Sequence, residues 1–165
     1  MAPYTIRLFG DPVLKQPASE VTNVDHALVQ LTEDMAETLR EARGLGLAAP
    51  QVGVQKRLFV YEFEEDEGPK VILNPTISEA RGEWSFEEGC LSVPGLYFPI
   101  IRPKEVHLTG YDLDGRAVSI EADELLARLF QHELDHLDGV LILDRTSREQ
   151  RKEAIRSLRE TPQAA

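Results

Sequence analysis

The segment His132-Glu133-Leu134-Asp135-His136 constrains this chain more than any other. It lies in a stretch, about Ala122 to Leu137, that reads as a helix with Gly139 just past its end. Two histidines four residues apart stand one above the other on a helix face, so both imidazoles reach a single ion. Glu133 sits one residue round, close enough to handle a proton of water at the ion without being a ligand. A catalytic site of the zinc type needs a third protein ligand and one open position. No His or Cys follows His136. The third ligand is either a downstream carboxylate, such as Glu149 or Glu153, or Cys90, the single cysteine, within Glu88-Gly89-Cys90-Leu91-Ser92. A lone cysteine also reads as a small buried apolar residue. His26 falls in a first predicted helix and His107 on the outward parity of a strand, so neither is expected to be a ligand.

The rest of the chain has to surround that helix. Residues 1–22, with the turn signal Gly10-Asp11-Pro12, read as an extended arm with turns. Leu28, Leu31, Met35, Leu39 and Ala42 make one apolar face of a helix from about Asp25 to Arg43, stopped by Gly44. The middle, from about Lys56 to Glu121, reads as strands: Arg57–Phe63, then shorter pieces at Val71–Leu73 and Thr76–Ser78. Val106, Leu108, Val118 and Ile120 alternate on either side of Asp114-Gly115, a hairpin signal. The acidic run Glu62 to Glu67 reads as a solvated loop. A charged helix is expected from about Ser147 to Arg159. Helix, strands, then helices predict an α+β fold, with mixed, mainly antiparallel strands around a central metal-binding helix, an N-terminal helix and a C-terminal helix. The 165 residues are expected to form one domain, 1–165, with about 145–165 as a basic C-terminal helix or tail.

Composition narrows the function classes. One cysteine allows no intrachain disulfide, so nothing argues for secretion. A net charge of −11 argues against binding DNA with the whole surface. No apolar run is long enough to cross a bilayer and no signal peptide is evident, so a cytoplasmic protein without a membrane partner is expected.

A second unusual stretch is Gly44-Leu45-Gly46-Leu47-Ala48-Ala49-Pro50-Gln51. It lacks the Lys-Ser/Thr and the glycine spacing of phosphate loops. Its small residues let a ligand approach the backbone closely. Gln51, after Pro50, offers an uncharged amide N–H donor of the kind that suits an oxyanion. The plainer reading is a tight helix-to-strand connection.

These three segments, in this order, resemble the three motifs of the peptide deformylases, and Phe9-Gly10-Asp11-Pro12-Val13-Leu14 resembles that family's opening segment. The resemblance runs from about Ile6 to Asp144 and looks like the bacterial type I form. It implies removal of the formyl group from N-formylmethionyl nascent peptides, with release of formate. It implies one divalent metal ion held by Cys90, His132 and His136: ferrous iron in the cell, with zinc, nickel or cobalt also accepted. It implies Glu133 as general base, and Gln51 with the backbone N–H of Leu91 as oxyanion donors. Gly46 and Gly89 fall where the family's backbone meets the substrate chain. For the methionine pocket, Leu125 and Leu129 lie on the face of His132, and Phe98, Ile100 and Arg102, alternating on a strand, are expected to form another wall. Between Arg145 and Arg159 lie six basic and two acidic residues. A basic helix on an acidic body suits docking to the polyanionic ribosome; the alternative is a solvated surface helix. The rival functions are a zincin-type metallopeptidase using His132, His136 and a late Glu, and a non-catalytic metal-stabilised binding module. The first motif and Cys90 count against both.

Overall fold

In a computed structural model that describes residues 2–160, strand β2 (Leu58–Tyr61) is buried at every position. The reason is that its sheet is covered on both faces. Leu58 and Val60 pack with Leu28, Leu31, Met35 and Leu39 of α1 (His26–Ala42). Phe59 and Tyr61 pack with Ala127, Phe130 and Leu137 of α2 (Glu124–Leu137). Alternate side chains of a strand point to opposite faces, so a strand between two helices must be apolar throughout. The Phe130 ring meets Tyr61 edge-on, with centroids 5.2 Å apart.

The sheet has five strands in the order β1 (Gly46–Ala48), β2, β3 (Lys70–Arg81), β6 (Glu105–Tyr111), β7 (Ala117–Asp123), and every pairing is antiparallel. A two-stranded antiparallel ribbon, β4 (Trp84–Cys90) with β5 (Val93–Arg102), is separate. Helix α2 lies between them: Ala127, Phe130 and Leu137 pack with the sheet, while Arg128 and His132 bond to Trp84 and Glu88 of β4. Helix α2, which carries the histidine pair, therefore lies between sheet and ribbon in an α+β fold.

The helix boundaries follow capping chemistry. The carboxylate of Asp25 accepts the Leu28 N–H at 2.8 Å and starts α1. The helix ends one residue before the expected Gly44: Arg43 takes the left-handed conformation, φ 58°, and the Gly44 N–H donates to the Leu39 carbonyl. Gly44 is small for a different reason, since a Cβ there would sit 2.9 Å from the Leu91 side chain.

Three strand readings are corrected. The Gly-rich segment is more than a connection, because Gly46–Ala48 form β1, the edge strand beside β2. The two short pieces expected at Val71–Leu73 and Thr76–Ser78 are one strand, β3. Pro75 falls at the register shift between Leu73 and Thr76, where the ladder does not need its missing N–H. The β4–β5 ribbon extends over residues for which only a fragment was expected. The hairpin at Asp114-Gly115 is present, with Leu108 opposite Ile120. Glu64–Glu67 are exposed, as the solvated loop requires.

The third helix, α3 (Arg148–Glu160), docks through Ala154 onto Phe98, Ile100, Ile142 and Leu143. Residues 161–165 of the expected tail lie outside the described residues. The N-terminal arm is tied across the core: the Arg7 N–H donates to the Gln51 carbonyl and the Phe9 N–H to the Ser92 carbonyl. The arm thereby clamps together the loops that carry the first two motifs.

Candidate metal and active site

Among the described residues, the donor atoms of Cys90, His132 and His136 gather within 4.8 Å of one another. Cys90 Sγ lies 3.3 Å from His136 Nε2, which lies 3.2 Å from His132 Nε2. A tetrahedral ion about 2.0–2.1 Å from nitrogen and 2.3 Å from sulfur has ligands separated by roughly 3.3–3.6 Å. The observed separations are close to edges of such a tetrahedron. One thiolate and two imidazoles form a borderline-soft donor set that fits a divalent transition ion. Glu149 and Glu153 are exposed on α3. His26 is exposed at the start of α1. His107 lies on the sheet's outer surface near Glu79 and Glu121, with its Nε2 bonded to Ser119 Oγ.

The ring of His132 is held from behind. Its Nδ1 lies 2.7 Å from Glu88 Oε1. Burial opposes ionisation of Glu88, but hydrogen bonding and charge from His132, together with Arg102, hold its pKa down at about 2. An ionised carboxylate only accepts, so Nδ1 carries a proton, and Nε2 is the ring nitrogen that faces the other donors and would serve as the ligand. Burial also disfavours charge on both imidazoles. For His132 the pull of Cys90 and Glu88 wins and its pKa lies well above the ordinary value. His136, opposed in addition by His132, lies well below. The surroundings of Cys90, Glu88 and Glu133 favour one positive charge at this point.

Glu88 belongs to a buried ion network. Its Oε2 accepts from Arg102 Nε and from Arg128 NH1, both at 3.0 Å. Arg102 NH1 donates to Asp135 Oδ2 at 2.8 Å, and Arg145 binds Asp135 through two nitrogens. Neither Glu88, Asp135 nor Ser92 was assigned a role from the sequence. An acidic residue beside each metal-ligand position, with an arginine at strand parity facing the helix, was the available signal.

Glu133 is 3% exposed. Burial pushes its pKa up to about 7. Its Oε1 has no hydrogen-bond partner, while Oε2 faces Gly46, where a Cβ would come within 2.7 Å. Gln51 is 1% exposed and anchored at both ends of its amide. Its Oε1 accepts from the Ala48 N–H at 3.0 Å, which fixes which end is nitrogen. Its Nε2 donates to Ser92 Oγ at 3.1 Å and lies 3.8 Å from Cys90 Sγ. The Ser92 N–H in turn approaches the same sulfur at 3.4 Å.

These groups open on a cavity of about 590 Å³. Gly46, Gln51, Gly89, Cys90, Leu91, His132 and Glu133 line it, and so do Leu125 and Leu129. Phe98 and Arg102 do not. Their expected place on the pocket wall is corrected: the strand parity that groups them turns that face of β5 inward. Phe98 packs with Ile142 and Ala154, and Arg102, 5% exposed, is consumed by Glu88 and Asp135. The opposite face of β5 supplies Tyr97 to the cavity rim, and Tyr97 accounts for Gly89, where a Cβ would fall 2.5 Å from its ring.

Residues 3–152 match the family model described as Polypeptide deformylase. A protein named peptide deformylase from Acidothermus cellulolyticus is 48% identical over 160 residues, covering 97% of this chain and 88% of that protein. One from Clostridium botulinum is 47% identical, covering 90% of this chain and 99% of the other. Among solved structures, a peptide deformylase from Synechococcus elongatus in complex with actinonin superposes with a TM-score of 0.89 at 43% identity, covering 95% of this chain and 86% of that one. A peptide deformylase from Legionella pneumophila superposes equally well at 39% identity, covering 96% and 99% of the two chains.

Proposed function

The chain belongs to the peptide deformylase family, and on that footing we propose that Cys90, His132 and His136 hold its metal ion, that Glu133 is its general base, and that Gln51 and Leu91 stabilise the oxyanion. The protein is an enzyme, a metal-dependent hydrolase that removes the formyl group from the N-terminus of nascent peptides. The observation that carries the assignment of roles is the meeting of one sulfur and two Nε2 atoms beside a buried carboxylate with a free oxygen.

A divalent ion in this site supplies Lewis acidity and lets water ionise near neutral pH. The protein's own groups do the rest. The Glu133 carboxylate, which lines the cavity, accepts a proton from water as the water's oxygen adds to the formyl carbon. The C–N bond then breaks, formate leaves, and Glu133 passes the proton to the departing amine nitrogen. As the carbonyl oxygen gains charge, Gln51 Nε2 and the Leu91 N–H donate to it. Ala48 holds the carbonyl end of Gln51, and with one Nε2 hydrogen on Ser92 Oγ the second, directed toward Cys90 Sγ, is the one that serves the oxygen. Strand β1 lies at the sheet edge beside the cavity, so an extended peptide adds to it through sequence-blind main-chain bonds. Gly46 and Gly89 line that cleft, the space of their missing side chains being taken by Glu133 and Tyr97, and Leu125 and Leu129 form the apolar wall for the methionine side chain.

Ferrous iron is the proposed ion in the cell, since a thiolate in the donor set softens the site; zinc, nickel and cobalt are the proposed substitutes. Anaerobic purification with metal analysis, followed by formate release from formyl-Met-Ala-Ser, tests the reading. One ion per chain and activity lost to a chelator are expected. Backbone cleavage of the peptide instead would favour a metallopeptidase, and no hydrolysis with any metal would favour a binding module.

Gly46→Ala is expected to keep the ion and lower kcat by up to about 10²-fold. Its Cβ would occupy the space of Glu133 Oε2 and shift the base, a displacement that metal analysis alongside kcat detects.

The proposed domain is a single catalytic unit with a basic C-terminal helix. Arg148, Arg151, Lys152, Arg156 and Arg159 are exposed on α3, and we assign them to ribosome docking. Reversing Arg148, Arg151 and Lys152 to Glu should abolish co-sedimentation with ribosomes at low salt while formate release from short peptides is unchanged. Unchanged co-sedimentation would make α3 a solvated surface helix. No helix among the described residues is long and apolar enough to cross a membrane, and a cytoplasmic location is proposed.

A further inference from the structure

Ser92 is fully buried and sits behind the oxyanion donor: its Oγ accepts from Gln51 Nε2 at 3.1 Å. The torsion that turns a glutamine amide plane is broad, so a single contact does not fix it. Gln51 has two contacts. Its Oε1 takes the Ala48 N–H at 3.0 Å, and its Nε2 gives one hydrogen to Ser92. The second Nε2 hydrogen is thereby turned toward Cys90 Sγ, 3.8 Å away, at the cavity that Gln51 and Cys90 line. One strap holds the backbones of the pair. The Arg7 N–H donates to the Gln51 carbonyl at 2.7 Å, and the Phe9 N–H to the Ser92 carbonyl at 2.8 Å.

We propose that Ser92 is a positioning residue for the reaction: its hydroxyl holds the Gln51 amide so that the remaining Nε2 hydrogen is aimed at the developing oxyanion before substrate arrives. This rests on the deformylase reading of the site. Ser92 is 0% exposed and does not line the cavity, so it acts through Gln51 and touches no substrate atom. The aim of the donor matters most when the carbonyl oxygen gains charge, so the hydroxyl serves the transition state more than the bound substrate. With alanine at 92, the buried N–H that faced the hydroxyl has no acceptor there, and the amide turns to recover one. Ser92 also meets the sulfur, since its backbone N–H approaches Cys90 Sγ at 3.4 Å. Alanine keeps that N–H. Removing the hydroxyl therefore separates an action on Gln51 from an action on the thiolate.

The test is a double-mutant cycle on the metal-loaded protein: wild type, Ser92→Ala, Gln51→Ala and the double variant, each assayed for formate release from formyl-Met-Ala-Ser per bound ion. Ser92→Ala should lower kcat at least about tenfold, short of the about 10²–10³-fold typical of losing an oxyanion donor outright, with KM unchanged. In the Gln51→Ala background the same substitution should change kcat by no more than about twofold, because the group it positions is gone. If Gln51→Ala does not fold, Gln51→Leu, which fills more of the space, completes the cycle. The visible absorption of the cobalt-loaded proteins reports the thiolate and imidazole ligands, and it should be the same in wild type and Ser92→Ala. No loss in Ser92→Ala, an equal loss in both backgrounds or an altered cobalt spectrum would overturn the proposal. So would a Ser92→Ala protein that did not fold, since the hydroxyl would then serve the fold and not the amide. A wild type that released no formate would overturn the deformylase reading and this inference with it. An active wild type with additive losses would overturn only the inference.

Discussion

Glu133→Gln is expected to retain one metal ion per chain and to lose about 10²–10⁴-fold in kcat, the usual range for removing a general acid–base group. Glutamine keeps the shape of the side chain and its packing against Gly46, so loss of basicity is the main change. The carboxylate is suited to the task by its surroundings. Burial raises its pKa to about 7, near the pH at which it must both take and return a proton. The carboxylate lines the cavity, where it meets the water and the departing amine. The donor atoms that gather as a group belong to Cys90, His132 and His136 and not to Glu133, so the ion should stay. Formate release from formyl-Met-Ala-Ser and metal content, measured on the same sample, check both halves. A variant that stayed active would remove Glu133 from the role. A variant that lost its metal would make Glu133 a ligand instead.

The parts of this molecule that can be read along the chain are those whose signal is local. Helix α1 announces itself by its apolar spacing and by Asp25, and α2 by the histidine pair and Gly139. Cys90 stands out as a candidate because the motif around it is contiguous. The misses arise where a residue's meaning depends on what packs against it. Phe98 and Arg102 share strand parity, as read, but parity does not say which face looks into a cavity. The answer required knowing that Ile142, Ala154, Glu88 and Asp135 lie on their side. Strand β1 is three residues long and carries a glycine, so no window of alternation reveals it; it exists because β2 lies beside it. Gly44 stands at the end of a helix but is small because of Leu91, 47 positions away. Arg128 has no role in the sequence reading for the same reason, since Trp84, Phe86 and Glu88, which close around it, are distant along the chain.

Glu88→Ala is expected to damage the protein in two separable ways. The side chain is 5% exposed and gives one oxygen to His132 and the other to two guanidinium groups. Its removal leaves Arg102 and Arg128 buried with fewer counter-charges. Breaking a buried ion pair from one side typically costs about 3–5 kcal/mol. Arg102 keeps Asp135, at 2.8 Å, which places the expected loss toward the lower figure. The second effect falls on the ion. Without the carboxylate behind it, His132 loses the bond that fixes its tautomer and ring angle, and metal affinity should fall by about 10–100-fold. Denaturant unfolding in the presence of a chelator isolates the first effect, because no ion then contributes to the folded state. Metal competition under native conditions isolates the second. Glu88→Gln divides the two again: its amide oxygen still accepts from one partner, but it carries no charge for the arginines. A stability loss with unchanged metal affinity would mean that Glu88 holds the ribbon to α2 and nothing more. The reverse would mean that Asp135 alone neutralises the buried arginines. The simultaneous loss of both is what a single carboxylate shared between a fold contact and a ligand contact requires.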